Sequence, residues 1–385
     1  MSIIGKLTDY KTRVANISSY KQFSYDEVIT YINSFPEPKD NWERSYNQYK
    51  CNSKIYGVNA FANFIRTVGC FLPFWVFIIR RGKAEKKEKR RNVFISDEHK
   101  MDIIPDKYKD SYIQVSRSEG WLLGKHERKT ILKLWKRYPF SYYFLLKNLI
   151  KIANYKWAIQ TYDPEAVLCS CEYSFSSSFL TDYCHSVNVK HINIQHGYNI
   201  VDLKCPFSTF DTMSIWDSFF TKTYKTMRCG TTHFEYVKPK CIELKKIPVN
   251  NEKTVIVYYL QNYVKTIVPT LLELLKLAKE NDMVFKIRCH PAYPMEKEDV
   301  LKFPPDVFES YKEVNIEQSL NTADYVVARF STVLYQSTQL DKNILIDDIS
   351  MPEEYSENRK KGAFFWETDK TELLSSFLDK LKTNI

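Results

Sequence analysis

The stretch AVLCSCEYSFSSSFLTDYCHSVNVKHINIQHG, residues 166–197, decides the fold. AVLCS (166–170) has the length and apolar character of a buried strand. SFSSSFLTDYCHSVN follows with helical character, and HINIQ (191–195) reads as a second strand. Strand, helix and strand in that rhythm imply parallel strands joined by a crossover helix. Both strands finish in polar groups, Glu172 after the first and Gln195, His196 and Gly197 after the second. Ligands collect beyond the carboxyl ends of such strands.

The same rhythm extends outward. Upstream, NVFIS (92–96) and YIQV (112–115) add short strands, and HERKTILKLWKRY and FSYYFLLKNLIKIANYKWAIQTYD add helices. Downstream of the polar linker KKIPVNNEK a second series begins. TVIVYYL (254–260), VFKIRC (284–289), YVVARF (325–330) and NILIDD (343–348) are strands, and DKTELLSSFLDKLKTN is a closing helix. At 385 residues the chain exceeds one ordinary core. The expectation is an α/β chain of two Rossmann-like parallel-sheet lobes, 91–245 and 246–385, preceded by a helical extension over 1–90.

Hydrophobic residues at 44% with 26% charged residues fit a folded soluble protein, and only 9 Gly and 15 Pro leave little for linkers or low-complexity arms. The opening MSIIGKLTDYK lacks a secretion-signal pattern, which predicts a cytoplasmic location. The nine cysteines stand singly or as the pair Cys169 and Cys171, without the paired CxxC spacing that zinc prefers, so no metal site is expected.

The net charge of +10 is uneven, because RRGKAEKKEKRR (80–91) holds eight basic and two acidic residues, a net +6. It follows FANFIRTVGCFLPFWVFII, an apolar run interrupted by Arg66 and Pro73 and therefore poor as a membrane span. An apolar aromatic segment followed by a basic cluster suits attachment to an anionic bilayer, each cation adding about 1 kcal/mol near the surface. The expectation is a peripheral contact with the inner face of the cell membrane through residues 56–91. A core helix followed by a solvated face is the plainer alternative. Nucleic acid is not an expected partner, since no recognition motif accompanies the charge.

Four strand ends carry chemistry. At the first, Gly197 after His196 is expected to let the chain turn and expose N–H groups to an anion or sugar hydroxyl. At the second, Glu172 is a candidate proton acceptor, or a carboxylate that merely favours a helix N-terminus. At the third, FKIRCHPAYP (285–294), Pro291 fixes His290, and Arg288 lies two residues earlier on the same strand face; a protonated imidazole there can bind phosphate. At the fourth, ARFSTVLYQSTQLDK (328–342), Arg329 ends a strand and Ser331 and Thr332 open a helix, a ready anion site.

Together the QHG turn, the HP turn and the STVLYQ helix start resemble bacterial GT-B glycosyltransferases of surface polysaccharide synthesis. The sialyltransferases, polysialyltransferases and Kdo transferases, which use CMP-activated sugars, and the CDP-glycerol polymerases are the nearest in motif. The resemblance implies two lobes facing an interlobe cleft, a nucleotide-sugar donor and a glycan or glycolipid acceptor such as O-antigen, lipooligosaccharide or capsule. It implies no cofactor beyond the CMP-sugar substrate, with sialic acid the first choice of sugar. His290 and Pro291 would hold the nucleotide phosphate, helped by Ser331 and Thr332, and Glu172 would deprotonate the acceptor with His196 as its rival. The acidic signature of the sialyltransferases is replaced here by CEY. The mechanism implied is inverting and independent of metal. Nonhydrolysing sugar-nucleotide epimerases of the same plan, and a non-enzymatic basic surface binder, are the competing classes.

Overall fold

Runs of buried apolar side chains make the central strands of two separate sheets. The computed structural model describes residues 22–80, 87–96, 103–116, 123–170, 173–195, 197–240, 242–261, 263–291 and 293–383. The chain divides into two units, Met1–Lys238 and Pro239–Ile385, a few residues ahead of the polar linker.

Unit 1 contains α1 (Tyr25–Asn33), α2 (Asn41–Ile55), α3 (Ala60–Ile79), β1 (Asn92–Ile95), α4 (Asp106–Lys109), β2 (Tyr112–Val115), α5 (Lys125–Arg137), α6 (Tyr142–Tyr162) and β3 (Ala166–Ser170). It continues with α7 (Ser177–Ser186), β4 (Lys190–Ile194), β5 (Thr212–Ile215), α8 (Ser218–Thr226) and β6 (His233–Tyr236). Every pairing is parallel, in the order β2-β1-β3-β4-β5-β6. Local chemistry sets the helix starts. Ser24 and Glu27 cap α1 reciprocally, and Glu127 accepts from the Gly124 N–H at 2.8 Å to begin α5.

The helices expected as an N-terminal extension pack into unit 1, α2 on α7 and α3 on α6. The serine run at the start of α7 explains the first of these contacts. Ser176, Ser177 and Ser178 are buried, and their small size admits α2 closely enough for the Phe179 N–H to reach Ser45 Oγ at 2.9 Å. Phe144, Leu149, Val167 and Phe179 are fully buried in the core beneath, each worth about 1.5–3 kcal/mol. A polar network crosses it at His191. The Thr181 hydroxyl donates to Thr209 O at 2.6 Å, so it accepts from His191 Nδ1–H at 2.8 Å, and Nε2 then accepts from Tyr155 Oη at 2.9 Å. Both ring nitrogens are satisfied by a neutral imidazole.

Unit 2 contains β7 (Val255–Leu260), α9 (Val268–Glu280), β8 (Val284–Cys289), α10 (Lys297–Val300), α11 (Ile316–Thr322), β9 (Tyr325–Ala328), α12 (Thr332–Gln339), β10 (Asn343–Ile346), α13 (Pro352–Lys360), β11 (Thr371–Leu373) and α14 (Leu374–Thr383). Its sheet is also wholly parallel, ordered β11-β10-β9-β7-β8. The closing segment departs from its expectation as one helix. Thr371 to Leu373 pair with Ile344 to Ile346 as an edge strand before α14 begins. In both units the second strand lies on one side of the first and the later strands on the other. Each is therefore a doubly wound parallel sheet with its topological switch between its first and third strands. Two such units in one chain are the α/β architecture expected of a GT-B-like protein.

Candidate functional site

In unit 2 the switch lies between β7 and β9, and the two chemistry-bearing strand ends of that unit, those of β8 and β9, flank β7. Cys289 is level with Leu260, and the β7–β9 register, carried two residues past Tyr258 and Val327, sets Arg329 level with the same Leu260. The strand ends at Cys289 and Arg329 thus lie on either side of β7, about 10 Å apart at two strand spacings, and His290 and Ser331 follow them in the chain.

Pro291 follows His290 in a tight turn, closed by the Tyr293 N–H donating to His290 O at 3.0 Å. The Tyr293 ring lies against the imidazole at 5.2 Å between centroids. The imidazole is exposed, yet partial burial lowers its pKa from the ordinary 6.5. Burial thus disfavours the charged form in the free protein, and the protonated imidazole that can bind phosphate is favoured once a negative charge lies beside it. Across β7, Ser331 caps α12 by accepting from the Val333 N–H at 3.3 Å, and its own O–H remains a donor. Thr332 is the first helical residue, so N–H groups of the first turn point out of the helix there.

The two arginines have carboxylate partners. Arg288 is held by Glu309 at 2.5 Å and donates to Val314 O at 2.8 Å, which fastens the 309–314 segment beside β8. Arg329 pairs with Glu354 at 2.7 Å and ties the first turn of α13 to the end of β9. Both are nearly buried, and the charge that the sequence offers to a phosphate is already matched. Glu309 and Glu354, 21 and 25 residues downstream, give no signal in the sequence.

In unit 1, Glu172 and His196 lie outside the described residues, but their neighbours are placed. Gln195 is fully buried at the end of β4. Its backbone N–H donates to Ser214 O at 2.9 Å, its carbonyl accepts from Trp216 Nε1 at 3.0 Å, and its Nε2 donates to Gly197 O at 2.9 Å. The bond to Gly197 O requires a donor, so the amide orientation is set and Oε1 is left buried without a partner among the described residues. Gly197 does not have the left-handed backbone that would require glycine, and a Cβ there would meet open space. The turn is instead fastened from behind. Asn199 Nδ2 donates to Tyr224 Oη at 2.9 Å and Tyr173 Oη at 3.3 Å, and the two hydroxyls are 2.6 Å apart. Asn199→Ala, which strips these donors from buried hydroxyls, is expected to lower stability by about 1–2 kcal/mol in urea unfolding.

Among the described residues no group of three or more His, Cys, Asp or Glu is placed to hold a metal ion. The described cysteines are free thiols, and burial pushes Cys51 up to about 12.

No protein-family model and no curated protein matches this chain. Solved structures similar to it include the glycosyltransferase of kitacinnamycin, with a TM-score of 0.43 and 8% identity over 76% of this chain and 87% of that one. The wall teichoic acid polymerase TagF follows with a TM-score of 0.42 and 11% identity over 84% and 88%. A UDP-N-acetylglucosamine 2-epimerase from Rickettsia bellii has a TM-score of 0.39 and 11% identity over 68% and 79%. At these scores the chemistry of the site rests on this chain's own residues.

Proposed function

We propose that this protein is a glycosyltransferase that moves a sugar from a nucleotide-activated donor to a hydroxyl of a bacterial surface glycan, with a CMP-linked acidic sugar, sialic acid first, as donor. The observation that carries the reading is the pairing of His290 with the Ser331 helix start on either side of β7 at the unit 2 switch. An imidazole, two hydroxyls and the N–H groups of a helix start suit a phosphate that leaves with negative charge.

In this reading the acceptor hydroxyl gives its proton to Glu172 or His196. Its oxygen bonds to the anomeric carbon as the bond from that carbon to the phosphate oxygen breaks, with inversion. The departing CMP carries the electron pair, stabilised by His290, Ser331, Thr332 and the first turn of α12. Arg288 and Arg329, with their carboxylates, position the strand ends that present these donors. The phosphate in turn draws a proton toward His290, because a nearby negative charge favours imidazolium.

A thermal-shift panel of CMP, CDP and UDP tests the donor class. CMP at about one hundred times its Kd is expected to add about 2.7 kcal/mol to apparent stability, with UDP adding much less. A preference for UDP overturns the CMP assignment. Conversion of a labelled sugar nucleotide to its epimer without acceptor replaces transfer with epimerisation.

A further inference from the structure

The helix α3 leaves a long apolar face without cover. Phe61, Phe64, Ile65, Val68, Phe71, Leu72, Val76 and Ile79 recur at helical spacing and are 40–72% exposed. Phe140, 84% exposed, extends this surface two residues before Tyr142, whose ring meets Phe71 at 4.9 Å. The opposite side of α3 is anchored: Phe74 and Ile78 are buried, and Phe74 packs on Tyr142 of α6 at 5.6 Å.

A cationic surface adjoins it. Trp75 of α3 meets Trp135 of α5 at 5.3 Å, and on α5 itself Leu132, Lys136, Lys133, Lys129, Arg128 and Lys125 line one open hollow. The four lysines are exposed, and none has a carboxylate within salt-bridge distance among the described residues. The sequence of α3 contains no Asp or Glu, and Glu127, the acid of α5, is buried on the far side against Tyr183.

We propose that unit 1 docks on an anionic lipid bilayer, with α3 lying in the plane of the interface, its exposed stripe among the acyl chains and the lysine face of α5 on the headgroup phosphates. A protein partner would complement eight large apolar side chains without requiring this uncompensated positive charge beside them; an anionic bilayer uses both. At 20 residues, about 30 Å, the helix is long enough to span. Spanning would nevertheless strip Phe74 and Ile78 from α6 and Trp75 from Trp135, whereas the in-plane position keeps every one of those contacts. Arg66, over the Tyr143 ring at 5.4 Å, sits on the flank of the stripe and reaches the headgroup level without crossing hydrocarbon.

Vesicle flotation of the full chain tests this independently of the catalytic reading. The protein is expected to float with phosphatidylcholine vesicles containing roughly one third phosphatidylglycerol, and much less with phosphatidylcholine alone, the difference shrinking in high salt. Lys129→Gln with Lys133→Gln should weaken the partition about twenty-five-fold, since each cation contributes roughly fivefold. Phe64→Glu with Leu72→Glu should weaken it by at least about tenfold while the circular dichroism and melting temperature stay unchanged, both side chains being exposed. Wild-type flotation by both double variants overturns the proposal. So does the absence of flotation together with a dimer that the Phe64/Leu72 variant converts to monomer, which would give the face to a second copy. Retention of the protein in membranes after alkaline carbonate washing overturns the in-plane orientation.

Discussion

His290→Ala is expected to lower kcat/KM for sugar transfer by a factor of about 10²–10³ without changing the fold, the range seen when one positioned donor to a developing anion is lost. The side chain is exposed and its removal leaves no buried cavity, so the melting temperature should hold. The pH dependence carries a sharper signature. Burial lowers the imidazole pKa below 6.5 in the free protein, and a bound phosphate raises it, so donor binding takes up a proton. Donor affinity should therefore strengthen as pH falls from the raised, bound-state pKa to the lowered, free-state one, by up to about tenfold per pH unit, and level off below the lower value. The alanine variant should lack this slope, and the difference between the two profiles isolates the imidazole from the titration of the ligand. The same shift has a consequence for folding. Because the unfolded chain binds the proton more readily, the contribution of His290 to stability is present above pH 6.5 and is lost as pH falls through the lower folded value. An alanine variant with wild-type turnover would remove His290 from the phosphate side.

The parts of this molecule that announce themselves in the sequence are those whose burial is continuous along the chain. VIVYYL is buried at every position of β7, and AVLCS at every position of β3, so an apolar run was enough to find each. The edges lack that signal. β6 is HFEY, exposed or half-buried throughout, and β11 is TEL, half-buried, so both exist because a neighbouring strand offers its open edge. The strand ends were legible for a related reason. A buried run that stops at a polar residue marks the carboxyl edge of a parallel sheet, which placed His290, Ser331 and Gln195 correctly relative to their strands. The partners of those residues were not legible. Asn199, Tyr173 and Tyr224 meet behind the Gln195 turn from three separate segments, and Glu309 and Glu354 come from segments that no periodicity links to Arg288 and Arg329. Sequence shows where polar groups leave the core, and only the fold shows which of them neutralise one another.

That distinction gives Arg288 its own test, because an arginine beside a phosphate site can serve the ligand or the scaffold. Arg288→Ala is expected to lower stability by about 3 kcal/mol or more, because it leaves the Glu309 carboxylate, 13% exposed, without its cation and Val314 O without its donor. Arg288→Met with Glu309→Leu removes both charges while keeping apolar volume, and should restore most of the loss, to within about 1 kcal/mol of wild type, since a buried ion pair gains little over well-packed apolar replacements. Urea unfolding of the single and double variants measures this directly, and the non-additivity of the cycle reports the coupling of the pair. The double variant also separates the two roles. If Arg288 acts as a post that holds the 309–314 segment against β8, the refilled scaffold should bind the donor nearly as well as wild type. If its guanidinium leaves Glu309 to meet the phosphate, stability will return in the double variant while donor affinity stays low. A single variant with unchanged stability would mean that Glu309 is solvated in solution and that the pair does not brace this edge of the sheet.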